Sequence, residues 1–269
     1  VTEYLSEEKI QTKRTMVSIL AMVVGCFSKA VYIPFLALYW LMPKDKFYSR
    51  RQKNLFKAGI FVLLILMFAS FILPLIGNVT SGAEVGDYRG GDTSQTSQLS
   101  MILGYPLTYT GVLLKSLGTT FASYFIGSKV LANFAYRGIY DGIGYFVVLL
   151  TMLFTFVTDF GMTEKTYDAQ MKRKILMMKI WNAVLIFGTA CLVWTALYLD
   201  FTPVGSMVIN GVSPRYYLPL IFPLSFIFIN QKVRCSMKLE NYQSLIAFLM
   251  LVGTGTVSYT HLTLPTNSR

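Results

Sequence analysis

Two cations sit where apolar runs begin or break, and both suit phosphate chemistry. Arg215 opens an apolar run inside Gly211-Val-Ser-Pro-Arg215-Tyr216-Tyr217-Leu-Pro219. Its planar guanidinium can grip a phosphate through two parallel N–H donors. Pro214 and Pro219 constrain the backbone around it and free carbonyls to face a cavity. A plainer reading makes Arg215 a snorkelling anchor, with Tyr216 and Tyr217 in the aromatic belt of a membrane boundary. Lys29 separates two charge-free runs, residues 15–28 and 30–43. An ammonium at mid-depth in hydrocarbon costs about 2.5–3.5 kcal/mol, so it needs water, an anion or a carboxylate there. At headgroup level the same lysine is an ordinary anchor, and the residue types leave both readings open.

A third candidate region is 77–100, rich in Gly, Ser and Thr and carrying Glu84, Asp87, Arg89 and Asp92. It has no helical or strand periodicity, which predicts a long loop, and loops of that length are functional or simply connecting. In the functional version Asp87, Arg89 and Asp92 line a polar mouth over the membrane. The sequon Asn78-Val79-Thr80 matters only where a secretory pathway glycosylates it. Arg215, Tyr216, Lys29 and Arg89 are the candidate phosphate-binding residues, and Asp87 and Asp92 the outer-loop candidates. No metal ligands are assigned: Cys26, Cys191 and Cys235 are far apart in sequence and His261 is the sole histidine. Neither a G-x-G-x-x-G nor a G-x-x-x-x-G-K-[ST] run occurs, so the usual nucleotide signatures are missing.

The elements that would position these residues follow from composition. Of 269 residues 54% are hydrophobic and only 14% charged, against about 25% charged in soluble domains. That balance predicts an all-α, polytopic transmembrane bundle forming one integral-membrane domain over residues 1–256. Residues 58–76 and 180–199 are charge-free and long enough, at about 1.5 Å per residue, to cross a hydrocarbon core of about 30 Å. Residues 142–158, 216–231 and 241–256 are shorter apolar runs read as further spans. With residues 15–43 read as a hairpin of two short helices, about seven spans are expected.

Charge sets the orientation. The net charge is +11, and it falls in short blocks between apolar runs, which argues for topology and against nucleic acid. Residues 44–57, 159–179 and 232–240 hold six, five and three Lys/Arg, against Arg89 alone in 77–114 and none in 200–214. By the positive-inside rule the first three are cytoplasmic and loop 77–100 is outside. Lys9, Lys13 and Arg14 place the start of the chain on the cytoplasmic side too. Residues up to 43 must then cross an even number of times, which is why the hairpin is preferred. By the same parity, 101–141 crosses twice or not at all. Its mixture of Lys115, Lys129 and Arg137 with apolar residues favours interfacial helices on the outer face.

Residues 257–269 resemble a translated adapter from transposase-based sequencing libraries, and the expected native part ends at Thr256, as a fragment of a longer membrane protein. Several patterns within it converge: Ser28-Lys29-Ala-Val-Tyr32-Ile-Pro34, Gln98 followed by Pro106, Asp141 after an aromatic-glycine stretch, and the Arg215 motif. Together they resemble the bacterial multi-pass family called domain of unknown function 2142. That family usually has Gln-Gly before the Arg-Tyr, where this chain has Ser213-Pro214.

The family is similar to GT-C-type membrane glycosyltransferases, which use polyprenyl-phosphate-linked sugars. The resemblance implies a site on the outer side of the bacterial inner membrane, a lipid-linked sugar donor as partner besides the bilayer, and often a divalent metal as cofactor. The expected function is sugar transfer in cell-envelope polysaccharide synthesis. The catalytic carboxylate of such enzymes lies in an upstream outer loop, so no catalytic residue is carried over to this chain. The alternative is a non-catalytic transporter or assembly partner for envelope polymers.

Overall fold

The computed structural model describes residues 9–27, 29–81, 92–131, 142–158, 168–228 and 235–263. All their regular structure is helical. Along the chain the α-helices are α1 (Thr12–Phe27), α2 (Arg50–Ser81), α3 (Gln95–Gly104), α4 (Pro106–Phe125), α5 (Ser128–Leu131), α6 (Ile143–Thr158), α7 (Ala169–Phe201), α8 (Leu218–Ser225) and α9 (Leu239–Thr263). Two compact units emerge: Val1–Leu117 with Tyr167–Val212, and Gly118–Thr166 with Ser213–Arg269.

In the first unit the expected hairpin is present, but its arms differ in kind. The first arm is α1, 16 residues long, and the second is a 3-10 helix, Ala30–Leu41, of 12 residues. At about 1.5 and 2.0 Å per residue both arms measure about 24 Å, so they return to the same level. Contacts at the open end agree: the Ile10 N–H donates to Lys46 O at 2.9 Å, and Lys9 Nζ to Asp45 O at 2.7 Å. Pro34 lies inside the 3-10 arm; its missing N–H and the clash of its ring with the carbonyl four residues back disfavour an α-helical ladder there. The tip packs Cys26, Ile33 and Leu36 against Met67, with Leu36 and Ile33 fully buried. Met67 is about 26 Å along α2, roughly the midpoint of a helix about 48 Å long.

α7 is the spine of this unit. Ile175, Met178, Asn182, Leu185, Ile186, Thr189, Val193, Trp194 and Tyr198 are buried on it, and their three- and four-residue spacing is one face of an α-helix. Leu176, Met177, Ile180, Val184 and Phe187 are exposed on the remaining surface. A helix apolar on both its packed and its open faces is built for a hydrocarbon surround. α2 is similar, with Phe61, Val62, Ile65, Leu66 and Leu73 exposed.

Both long helices begin earlier than expected. α2 starts at Arg50 and α7 at Ala169, so much of the positive charge predicted for connectors lies on the first turns of helices. Lys and Arg are good helix formers whose long stems reach back to water. Lys174 Nζ meets Asp45 Oδ2 at 3.0 Å. This bond joins the start of α7 to the connector after the hairpin, so the basic segments near residues 9, 45 and 174 share one end of the unit. Partial burial raises the Asp45 pKa, but the Lys174 hydrogen bond, a backbone hydrogen bond and the charges of Lys174 and Lys46 outweigh it and hold the carboxyl below its usual range.

In the second unit α6 and α9 form an antiparallel pair. Thr158 Oγ1 is 2.9 Å from Tyr242 Oη at one end, and Gly253 faces Val148 and Gly144 further along. Close approach at small residues is how helices pack when lipid removes the hydrophobic incentive. The α9 helix continues to Thr263.

Two expectations need correcting. Region 77–100 is not one loop: α2 runs to Ser81 and α3 begins at Gln95, with the Ser94 side chain accepting from Ser97 N–H at the helix start. An N-cap can start a helix of polar residues that carries no apolar period. Span 216–231 is not a continuous helix either: Pro214–Tyr217 is 3-10, α8 has only 8 residues, and turns follow at 226–228. Pro219 and Pro223 each remove a backbone donor from that run, and Pro214 starts the 3-10 turn that leads into it.

Of the seven expected crossings, two helices among the described residues are long and apolar enough to cross a membrane, residues Arg50–Asn78 and Ala169–Phe201. Ala30–Leu41 and Ile143–Thr158 are apolar but shorter.

Candidate functional site

At the Phe201 end of α7, opposite the basic end, polar groups gather in the first unit. Gln98 is fully buried in α3, and its Nε2 donates to Thr202 O at 2.8 Å and Pro203 O at 3.1 Å. Two carbonyl acceptors fix which end of the amide is nitrogen. One turn earlier, Gln95 Nε2 donates to Asp200 Oδ1. The Oε1 atoms of both glutamines are buried with no hydrogen-bond partner among the described residues.

The strand of chain leaving α7 is tied down further: the Val204 N–H donates to Asp92 O, and the Asn210 N–H to Thr202 Oγ1. Tyr109 of α4 meets Thr195 through its hydroxyl at 2.6 Å and packs its ring on Tyr198. Gln98, Tyr109 and Tyr198 are buried, so this amide and the two rings brace the end of α7 and leave half-buried Gln95 and Asp200 as the more accessible polar pair.

Gly211, where the Arg215 motif begins, has φ +79, and a Cβ there would lie 2.7–3.0 Å from Phe201 side-chain atoms. Only glycine fits that left-handed, close-packed position.

In the second unit Arg215 lies on the 3-10 turn Pro214–Tyr217, which runs straight into α8. The Tyr216 N–H donates to Ser213 O at 3.1 Å, and Leu218 N–H to Arg215 O. Arg215 is exposed and Tyr216 half-buried. Tyr217 is buried and meets Tyr124 edge-on, its ring centroid 5.5 Å away. It is therefore an internal anchor and not the belt residue expected from its type. Leu220, one turn on, is fully buried. Burial of Tyr217 and Leu220 fixes the turn and leaves the guanidinium facing outward.

The other candidates fall as follows. Lys29 is half-buried at the hairpin tip, its N–H bonded to Cys26 O at 3.0 Å. Asp92 is exposed, two residues before the Ser94 cap. Asp87 and Arg89 lie outside the described residues. Lys29 and Asp92 belong to the first unit and Arg215 to the second. A divalent metal of the kind the resemblance implies needs convergent ligands, and among the described residues no three His, Cys, Asp or Glu side chains come together.

Sequence reasoning missed Gln95 and Asp200. The one available signal was a carboxylate closing an apolar run in a connector free of Lys and Arg, and it did not point to a partner 105 residues away.

No curated protein and no solved structure matches the chain. With long apolar helices, a helical hairpin and a basic end, the chain belongs to the family described as "Predicted membrane protein (DUF2142)", whose model matches residues 1–224.

Proposed function

We propose that this membrane protein is part of a bacterial inner-membrane, GT-C-like glycosyltransferase that uses a polyprenyl-phosphate-linked sugar in cell-envelope polysaccharide synthesis. The observation that carries the reading is the Arg215 turn: an exposed guanidinium on a proline-started 3-10 turn, anchored by buried Tyr217 at the head of an apolar helix. A fixed, exposed fork at such a boundary is suited to a lipid-borne phosphate. Tyr216, Arg89, Asp87 and Asp92 stay in the proposal as outer-side residues by charge patterning, while Lys29, at a hairpin tip packed near the midpoint of α2, falls short of that side. The proposal assigns no general base among the residues of this chain.

In the full-length protein, Arg215→Ala and Arg215→Lys should each reduce envelope glycan modification about ten-fold or more, equivalent to about 1.4 kcal/mol of lost phosphate binding. Both variants should fold normally, since the side chain is exposed. Full activity with Lys would reduce Arg215 to an anchor.

The non-catalytic reading, a transporter or assembly partner for envelope polymers, draws on Asn182 and Thr189, which are polar and fully buried in α7. It gains if glycan modification survives both Arg215 substitutions while polymer export falls.

Sidedness is part of the proposal: basic segments in the cytoplasm, region 77–100 outside. In a variant without Cys26, Cys191 and Cys235, an impermeant thiol reagent applied to intact cells should modify Asp92→Cys and spare Arg51→Cys and Arg173→Cys. All three positions are exposed. The opposite labelling pattern overturns the layout.

A further inference from the structure

Two cavities flank the first turns of α2 at the basic end of the first unit. One, about 450 Å³, is a cleft lined by Lys44, Phe47, Tyr48, Ser49, Arg50 and Lys53. The other, about 460 Å³, is an apolar groove between α1 and α2, walled by Ile10, Met16, Ile19, Leu55, Ile60 and Leu63 among others. Both fall in the range of small-molecule sites, about 300–1,000 Å³. Phe47 lines the cleft and Phe56 the groove, and their rings meet with centroids 5.4 Å apart. The cationic cleft and the apolar groove are therefore adjacent, separated by one pair of aromatic rings.

We propose that the cleft holds the phosphate headgroup of an anionic glycerophospholipid through Lys44, Arg50 and Lys53, with one acyl chain lying in the groove between α1 and α2. Charge complementarity selects this occupant: three cations line one small cleft, and the nearest carboxylate on the same connector, Asp45, is engaged by Lys174. Shape selects it too. A free phosphate has no use for the adjoining groove, and a chain lying there covers Met16 and Leu55, which are otherwise exposed. Basic pockets between helices near a membrane surface recognise anionic headgroups by this chemistry. The proposal rests on the membrane placement of this end and is independent of the glycosyltransferase reading.

The test is native mass spectrometry of the full chain, purified in mild detergent and supplied with dioleoyl phosphatidylglycerol or dioleoyl phosphatidylcholine. The wild type should retain one phosphatidylglycerol and at least ten-fold less phosphatidylcholine. Lys44→Gln/Arg50→Gln/Lys53→Gln should lose phosphatidylglycerol at least ten-fold. Arg51→Gln/Lys172→Gln/Arg173→Gln removes equal charge from exposed positions of the same end outside the cleft, and it should retain the lipid. Gly59 lines the groove with open space where a side chain would grow, so Gly59→Leu should fold, fill the groove and weaken retention.

Four results would each overturn the proposal: equal retention of the two lipids; equal loss in both triple variants, which means diffuse attraction; displacement of the lipid by millimolar inorganic phosphate, which means a free-anion site; or a lipid-free dimer, which means a second copy covers the groove.

Discussion

Gln98→Leu lowers the stability of the detergent-solubilised protein by about 1–3 kcal/mol, read as a fall of about 3–10 °C in its unfolding midpoint. Leucine matches the volume of the amide but donates nothing. The Thr202 carbonyl depends on Nε2, whereas Pro203 O also accepts from the Ser206 N–H at 3.1 Å, and a buried acceptor left without a donor costs about 1–3 kcal/mol. Gln98→Glu should be at least as damaging, because it removes the donors and sets an ionisable oxygen against two carbonyl oxygens. Gln95→Leu should do less, since Gln95 is only half-buried and its amide meets a side chain able to turn towards water. A midpoint unchanged by Gln98→Leu would show that the chain after α7 is held by its other bonds, those from Val204 and Asn210.

Gly211→Ala should be the second large loss, about 2–3 kcal/mol. Two separate effects add. An L-residue at φ +79 costs about 1–2 kcal/mol, and the new methyl group must displace the Phe201 side chain, whose ring atoms lie 2.7 and 2.8 Å and whose Cβ lies 3.0 Å from it. Gly205 has the same φ of +79 with nothing near its missing side chain. Gly205→Ala therefore isolates the backbone effect and should cost about 1–2 kcal/mol. The difference between the two midpoints measures the contact with Phe201, and adding Phe201→Leu to Gly211→Ala should recover part of it. Equal losses at the two glycines would remove Phe201 from the explanation.

How far the sequence carried depended on whether a feature was local. The hairpin was legible because a single charge, Lys29, splits two apolar runs, and because charge parity required the chain to return. That its second arm is 3-10 was not, for Pro34 was visible but the length match to α1 exists only between packed helices. Region 77–100 was misread because α3 is polar on its outer turns and holds its place through one amide reaching Thr202, a contact that leaves no period in the sequence. Run 216–231 misled in the opposite way. Its apolar content is high enough for a span, and the prolines that break it were weighed less than its hydropathy. At the Arg215 site the cation and its neighbouring tyrosines were legible by type. Their division of labour was not, since Tyr217 turns inward to a partner, Tyr124, 93 positions earlier in the sequence. The cleft of Lys44, Arg50 and Lys53 appeared only as part of a charge count, because folding of the connector against α2 is what gives it depth.

The second arm of the hairpin also behaves as a ruler. Rewound as an α-helix, its 12 residues would shorten by about 6 Å, a little more than one helical turn. The Lys46 carbonyl would be drawn off Ile10, and Asp45 away from Lys174, so both ties at the basic end would break together. The tighter winding of one short segment thus sets the register of everything fastened to its end.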